Sequence, residues 1–172
     1  MVRGVVDVPV EIERKFLVLD DAWRQSADAG TRIRQGYIVG EDHCSVRVRI
    51  RSNGECTLTV KLPHNGMSRY EFEHNIDQRE AEGLMELSRG AILDKHRYLV
   101  EHQGLTWEID VYDGANSGLV VAEIELSSEG QNFEAPAWIG PEVTGQERYQ
   151  NSRLAREPFE MWPAEETQAA IA

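Results

Sequence analysis

Glu11, Glu13 and Lys15 occupy alternate positions of the stretch VEIERKFLV, interleaved with Ile12, Arg14 and Phe16. Alternate residues of an extended strand share a face, so two carboxylates and an ammonium stand side by side, roughly 7 Å apart. Like charges at that spacing repel unless a cation lies between them. Carboxylate oxygens are hard ligands of the kind Mg2+ or Mn2+ prefers. The opposite sign recurs with the same period further on: CSVRVRIR carries Arg47, Arg49 and Arg51, and CTLTVKLP carries Thr57, Thr59 and Lys61. Arginine forks and lysine point charges suit a polyanion with several phosphate oxygens. A metal ion that bridges carboxylates and phosphates would reconcile the two sets.

The elements that must position these residues are strands. Period-two alternation marks VEIERKFLV, RIRQGYIV, CSVRVRIR, CTLTVKLP, SRYEFEHNI, KHRYLVEH, LTWEIDVY and LVVAEIELS. The later strands add Arg69, Glu71 and Glu73, then Lys95 and Arg97, Glu108 and Asp110, and Glu123 and Glu125 to the ionic face. All three lysines of the chain fall on it, and no aromatic residue takes that parity in the strands so aligned. Ile12, Phe16, Val46, Val48, Leu58, Val60, Tyr70, Phe72, Trp107, Ile109 and Ile124 take the other. Ser52-Asn53-Gly54 reads as a three-residue hairpin loop with Gly54 left-handed, which sets Arg49 opposite Thr57 and Arg47 opposite Thr59.

Short helices are expected after Asp20, from the capping box Asp77-x-x-Glu80 to Gly90, and after Thr144-x-x-Glu147 up to Pro158. Residues 1–8 read as a flexible leader, 9–162 as a single domain and 163–172 as a polar tail.

A half-buried sheet with its polar face in water would alternate too. Here the face is almost wholly ionic and rich in arginine, and its signs segregate: basic on the third, fourth and sixth strands, acidic on the first, seventh and last. Eight strands are enough to close a barrel. If this sheet closes with its apolar face outward against a few helices, the fold is α+β, mainly β: an eight-stranded antiparallel β-barrel whose ionic face lines a tunnel.

The 172 residues are 41% hydrophobic and 28% charged, ordinary for a single globular domain. A net charge of −12 argues against nucleic acid or an anionic membrane as partner. No apolar run spans a bilayer and no signal-peptide pattern opens the chain, so the cytoplasm is the default compartment. Cys44 and Cys56 are read as buried reduced thiols, and the five histidines show no ligand spacing. No Ser-His-Asp pattern and no phosphate-cradling glycine loop stands out.

The ordered set of motifs resembles the CYTH superfamily, the triphosphate tunnel metalloenzymes: ExExK at Glu11 to Lys15, QGY at Gln35 to Tyr37, VRVR at Val46 to Arg49, LTVK at Leu58 to Lys61, RYEFE at Arg69 to Glu73, KHRY at Lys95 to Tyr98, WEIDV at Trp107 to Val111, GLVVAEIEL at Gly118 to Leu126 and ERYQNSRLA at Glu147 to Ala155. Within it the chain looks most like short bacterial inorganic tripolyphosphatases. The resemblance implies metal-dependent work on triphosphates, with Glu11, Glu13 and Glu125 at the metal and Glu123 and Asp110 as companions. It implies phosphate binding by Lys15, Arg47, Arg49, Lys61, Arg69, Lys95 and Arg97. Tyr37 falls where related bacterial enzymes carry a tyrosine proposed as catalytic; a packed tyrosine bonded to a neighbour is the competing reading.

The reaction implied is hydrolysis of tripolyphosphate to diphosphate and phosphate, with a carboxylate or a lysine of depressed pKa, such as Lys15 or Lys95, relieving the attacking water of its proton. Glu71 and Glu73 are expected to pair with tunnel arginines. Arg148 either caps the tunnel or ties down the terminal helix. Nucleoside or organic triphosphate chemistry (adenylate cyclase, thiamine-triphosphatase or RNA triphosphatase) and a non-catalytic polyphosphate-binding module stay open. So does the choice between monomer and homodimer.

Overall fold

The structure, a computed structural model, describes residues 10–41, 44–63 and 68–171; the expected leader lies outside the described residues. Nine strands are present: β1 (Val10–Val18), β2 (Thr31–Glu41), β3 (Cys44–Arg51), β4 (Cys56–Pro63), β5 (Ser68–Asn75), β6 (Arg89–His102), β7 (Leu105–Tyr112), β8 (Val120–Glu125) and β9 (Ile139–Glu142). Three helices join them: α1 (Gln78–Glu86), α2 (Asn151–Leu154) and α3 (Ala164–Ile171). The sheet runs β5-β4-β3-β2-β6-β7-β8-β1-β9, and β5 also pairs with β1, which closes eight strands into an antiparallel barrel and leaves β9 outside on β1. This is the expected barrel with one strand more.

Alternation explains the closure. The β3–β4 register sets Arg49 against Thr57 and Arg47 against Thr59, and Gly54 sits at φ 92°, so the three-residue loop holds. Small threonines opposite long arginines leave room for the guanidiniums inside. The apolar residues turn outward and form the core between barrel and outer layer. Phe16, Trp23, Val100, Trp107, Ile109, Ala122, Ile124 and Trp138 make one cluster. Leu17, Leu93, Tyr112, Leu119, Val121, Leu154 and Phe159 make a second, at the α2–α3 end. Val48 and Cys56 make a third with Ala81 and Met85 of α1. Each large side chain fully buried in this way is worth about 1.5–3 kcal/mol.

Several local expectations are corrected. Helix α1 starts as expected, with the Asp77 carboxylate accepting from the Glu80 N–H at 2.8 Å, but ends at Glu86 with Leu87 as its cap. Gly90 belongs to β6, where φ is 79° and an added Cβ would lie 2.4 Å from the Ala155 carbonyl oxygen. After Asp20 the chain forms a 3-10 turn, Asp21–Gln25. Thr144 caps no helix; its hydroxyl accepts from the Lys15 N–H at 2.9 Å and donates to Glu142 at 2.7 Å, anchoring β9 beside β1. The segment read as a polar tail contains α3, with Ala170 buried. Cys56 is buried and Cys44 only partly so; both are free thiols.

Candidate active site

The barrel interior is a cavity of about 810 Å³. Lys15, Arg47, Arg49 and Glu123 are buried within it, so its charges answer to one another. Two networks of ion pairs result. In the first, Lys61 of β4 reaches Glu11 of β1 and lies 2.7 Å from Glu71 of β5, which also pairs with Arg47 of β3 at 3.2 Å. In the second, Arg97 of β6 is the hub: its guanidinium donates to both oxygens of Asp110 at 2.7 and 2.6 Å, to Glu123 at 2.9 Å and to Glu108. Lys15 meets the other oxygen of Glu123 at 2.8 Å and donates to the Tyr149 carbonyl at 3.2 Å. Lys95 pairs with Asp110, and both are 0% exposed.

Burial sets the protonation equilibria. Lys95 is pushed down to about 7 by burial and by the nearby Arg97 and Arg49, against the pull of Asp110. Arg49 is lowered to about 9 by burial and by Arg47, Arg97 and Arg51. Burial opposes the Lys15 charge, yet Glu123 and Glu13 hold it above the ordinary lysine range. Glu11 is raised to about 8 by burial, with Glu13 and Glu71 adding to the effect and Lys61 opposing it. Glu125 is raised by burial and by Glu108 and Glu13.

Those two raised carboxylates are the mark of a site that favours a cation. Glu13 and Glu125 face each other across the β1–β8 pairing and form no salt bridge with any described residue. The donor set is all carboxylate oxygen, which fits a hard divalent ion. Among the described residues, no three acidic, histidine or cysteine side chains converge to hold a metal ion unaided. Phosphate oxygens and water would complete the shell, as is usual for Mg2+. Across the cavity, Arg49 and Arg51 of β3 line the wall without a salt bridge to any described residue, Arg49 donating to the neutral amide of Gln35. Arg69 of β5, also without a salt bridge to any described residue, stands beside Glu11 in the β1–β5 register.

The CYTH domain family profile matches residues 10–156. The chain belongs to the CYTH family. An inorganic triphosphatase of Acetivibrio thermocellus is 46% identical over 150 residues, covering 87% of this chain and 95% of that protein. One from Nitrosomonas europaea is 38% identical over 149 residues, covering 84% of this chain and 96% of that one. The crystal structure of an inorganic triphosphatase superposes with a TM-score of 0.60 at 35% identity, over 84% of this chain and 93% of that one.

In this CYTH barrel, Glu11, Glu13, Lys15, Tyr37, Arg47, Arg49, Lys61, Arg69, Arg97, Glu123 and Glu125 all line the cavity. Lys95 and Asp110 do not. They share the interior face with Arg97 but are fully buried beyond the open cavity, paired with each other, with the Lys95 ammonium 5.4 Å from the centre of the Tyr112 ring. Glu71 pairs with Arg47 and Lys61, and Glu73 accepts from Thr59 at 2.9 Å. Arg148 pairs with Glu166 of α3 and stacks 4.2 Å over Trp162, a surface tie.

Strand β2 was the blind spot. It turns Thr31, Ile33 and Tyr37 toward the cavity, so an aromatic does face the interior, contrary to expectation. Gln35, buried between Tyr37 and Arg49, was seen only as part of a motif. The signal available was parity: Arg32 and Arg34 point outward, to Asp94 and Glu82, so their neighbours point in.

Proposed function

We propose that this CYTH domain hydrolyses inorganic tripolyphosphate to diphosphate and phosphate with Mg2+ or Mn2+ as cofactor. One observation carries the reading: the barrel cavity sets the under-neutralised guanidiniums of Arg49 and Arg51 on β3 against the carboxylates of Glu13 and Glu125, with Arg69 beside Glu11. A chain of phosphates with its metal supplies the charge each side lacks. The names carried by the Acetivibrio and Nitrosomonas relatives support the same substrate class.

In this reading Glu13 and Glu125, with Glu11, hold the cation, which when bound spreads the charge that develops on the transferring phosphoryl group. Arg47, Arg49, Lys61 and Arg69 grip phosphate oxygens and fix the chain in line for attack by water. The water oxygen forms the new P–O bond, the bridging P–O bond breaks, diphosphate leaves with the electron pair, and the proton lost by the water passes to a phosphate oxygen or to bulk water. Lys15 and Arg97 reach the cavity from the second network and balance the negative charge of Glu123. Asp110 and Lys95, buried on the same interior face, act as countercharges to Arg97 and to each other.

Two unpaired thiols are in keeping with the reducing cytoplasm, where we place the protein. With a net charge of −12, nucleic acid is not the expected partner. Phosphate release from tripolyphosphate, with and without Mg2+ or Mn2+, tests the proposal. Metal-dependent release is expected. No release with either metal, together with a Tm raised by tripolyphosphate, would make this a binding module instead.

A further inference from the structure

Gln35 lies in the middle of β2 at 0% exposure, a neutral amide within a wall of charge. Its Nε2 donates to Tyr37 Oη at 3.0 Å, and its Oε1 accepts from Nε and Nη2 of Arg49, each at 3.4 Å. The amide cannot be reversed, because its NH2 group would then meet a guanidinium that carries only donors. Arg49 therefore dictates that the amide donates to Tyr37. A phenol oxygen that already accepts must send its own proton elsewhere, and Tyr37 lines the cavity.

The backbone supports this aim. The β2 register slips between Gln35 and Tyr37 on the β6 side, and between Tyr37 and Val39 on the β3 side. Such bulges re-aim a side chain, and they gather next to active sites. Arg49, for its part, forms no salt bridge with any described residue. A carbonyl orients it without cancelling its charge. A glutamate of the same size would do the opposite twice over: it would neutralise Arg49, and it would accept the Tyr37 proton and turn it back toward β2.

We propose that Gln35 is a positioning residue of the phosphate site, aiming the Tyr37 O–H into the cavity as a donor to a phosphate oxygen and holding Arg49 as an uncompensated cation for the same anion. The assignment rests on the triphosphatase reading of the cavity. It explains why a buried, uncharged residue is tolerated among arginines, where burial without partners would cost stability.

The test is steady-state kinetics on tripolyphosphate with Mg2+ for Gln35→Glu and Gln35→Leu, each alone and combined with Tyr37→Phe, alongside melting curves. Gln35→Glu should fold with an undiminished Tm, lose at least tenfold in kcat and raise KM severalfold. In the Tyr37→Phe background the kcat loss should shrink below threefold, since the proton to be aimed is gone, while the KM effect through Arg49 persists. Wild-type kcat and KM in Gln35→Glu, or equal kcat losses in both backgrounds, overturn the proposal. Should Gln35→Leu fail to fold, the isosteric Gln35→Glu carries the test alone. If the wild type releases no phosphate, the hydrolase reading falls by itself. The positioning role is then judged by calorimetric titration with tripolyphosphate, whose affinity Gln35→Glu must lower at least tenfold.

Discussion

Glu13 and Glu125 are direct cross-strand partners in the barrel wall, while the neighbouring Glu11 and Glu123 pair with Lys61 and Lys15. Like charges placed directly opposite destabilise a sheet unless something between them compensates. In the proposed function a divalent ion would be that compensation. Glu13→Gln keeps the size and removes the charge, so the variant should fold and lose about a hundredfold in metal-dependent kcat, about 2.7 kcal/mol of transition-state stabilisation. The rise in Tm that Mg2+ or Mn2+ gives the wild type should vanish with it. A folded Glu13→Gln protein of full activity would remove this pair from the metal site.

Glu11 makes the metal-free protein sensitive to pH. Its carboxyl is raised from an ordinary 4.5 to about 8, chiefly by burial, so between those values the folded chain binds a proton that the unfolded chain does not. The stability due to this group is complete below the lower value and is lost as pH rises through the upper one. Glu11→Gln imitates the protonated form. Melting curves without metal should find the variant and the wild type alike near pH 5, and the variant higher at pH 9. A difference that does not change with pH refutes the assignment.

Asp110 separates a countercharge from a ligand. It is fully buried and receives both Lys95 and a bidentate Arg97. Removing one member of a buried pair leaves an uncompensated charge at a cost of about 3–5 kcal/mol. Asp110→Ala should therefore lower stability in urea by that much with no metal present. A variant of wild-type stability that has lost only metal affinity would return Asp110 to the metal.

Ionic side chains of the barrel strands dominate the cavity interior, with Tyr37 its single aromatic among the described lining residues, while amides and hydroxyls such as Gln146, Gln150 and Ser152 line it where β9 leads into α2. A nucleobase usually gains from stacking surface, of which one phenol ring offers little. Tripolyphosphate should thus be used with kcat/KM at least tenfold above that for ATP, or about 1.4 kcal/mol of transition-state binding. Competition between the two under one metal condition decides it. Equal use of ATP, or cyclic AMP among the products, would favour nucleotide chemistry.

How much could be read from the residues varies by element. Strands β1, β3, β4 and β7 were legible to their ends because polar and apolar residues alternate through most of their length. Strand β2 was legible as a strand but not by face, since its arginines are the outward residues and its neutral ones face the cavity. Strand β9 is only four residues, IGPE, too short and too interrupted by proline to show a period. The carboxylates of the site were legible as an inventory. Glu123 and Glu125 share parity and look alike in sequence, yet the first meets Lys15 and Arg97 and the second meets neither. That difference comes from the stagger of the closed barrel, which pattern alone does not contain.

Strand β5 closes the barrel on β1: among the described residues, Val10 pairs with Tyr70, Glu11 with Arg69 and Ile12 with Ser68. The inner lining crosses this join, where Lys61 of β4 reaches over β5 to Glu11 of β1. A cation held by Glu11 and a phosphate gripped by Arg69 would tie the two margins together from within. The cargo of the tunnel would then also be its clasp.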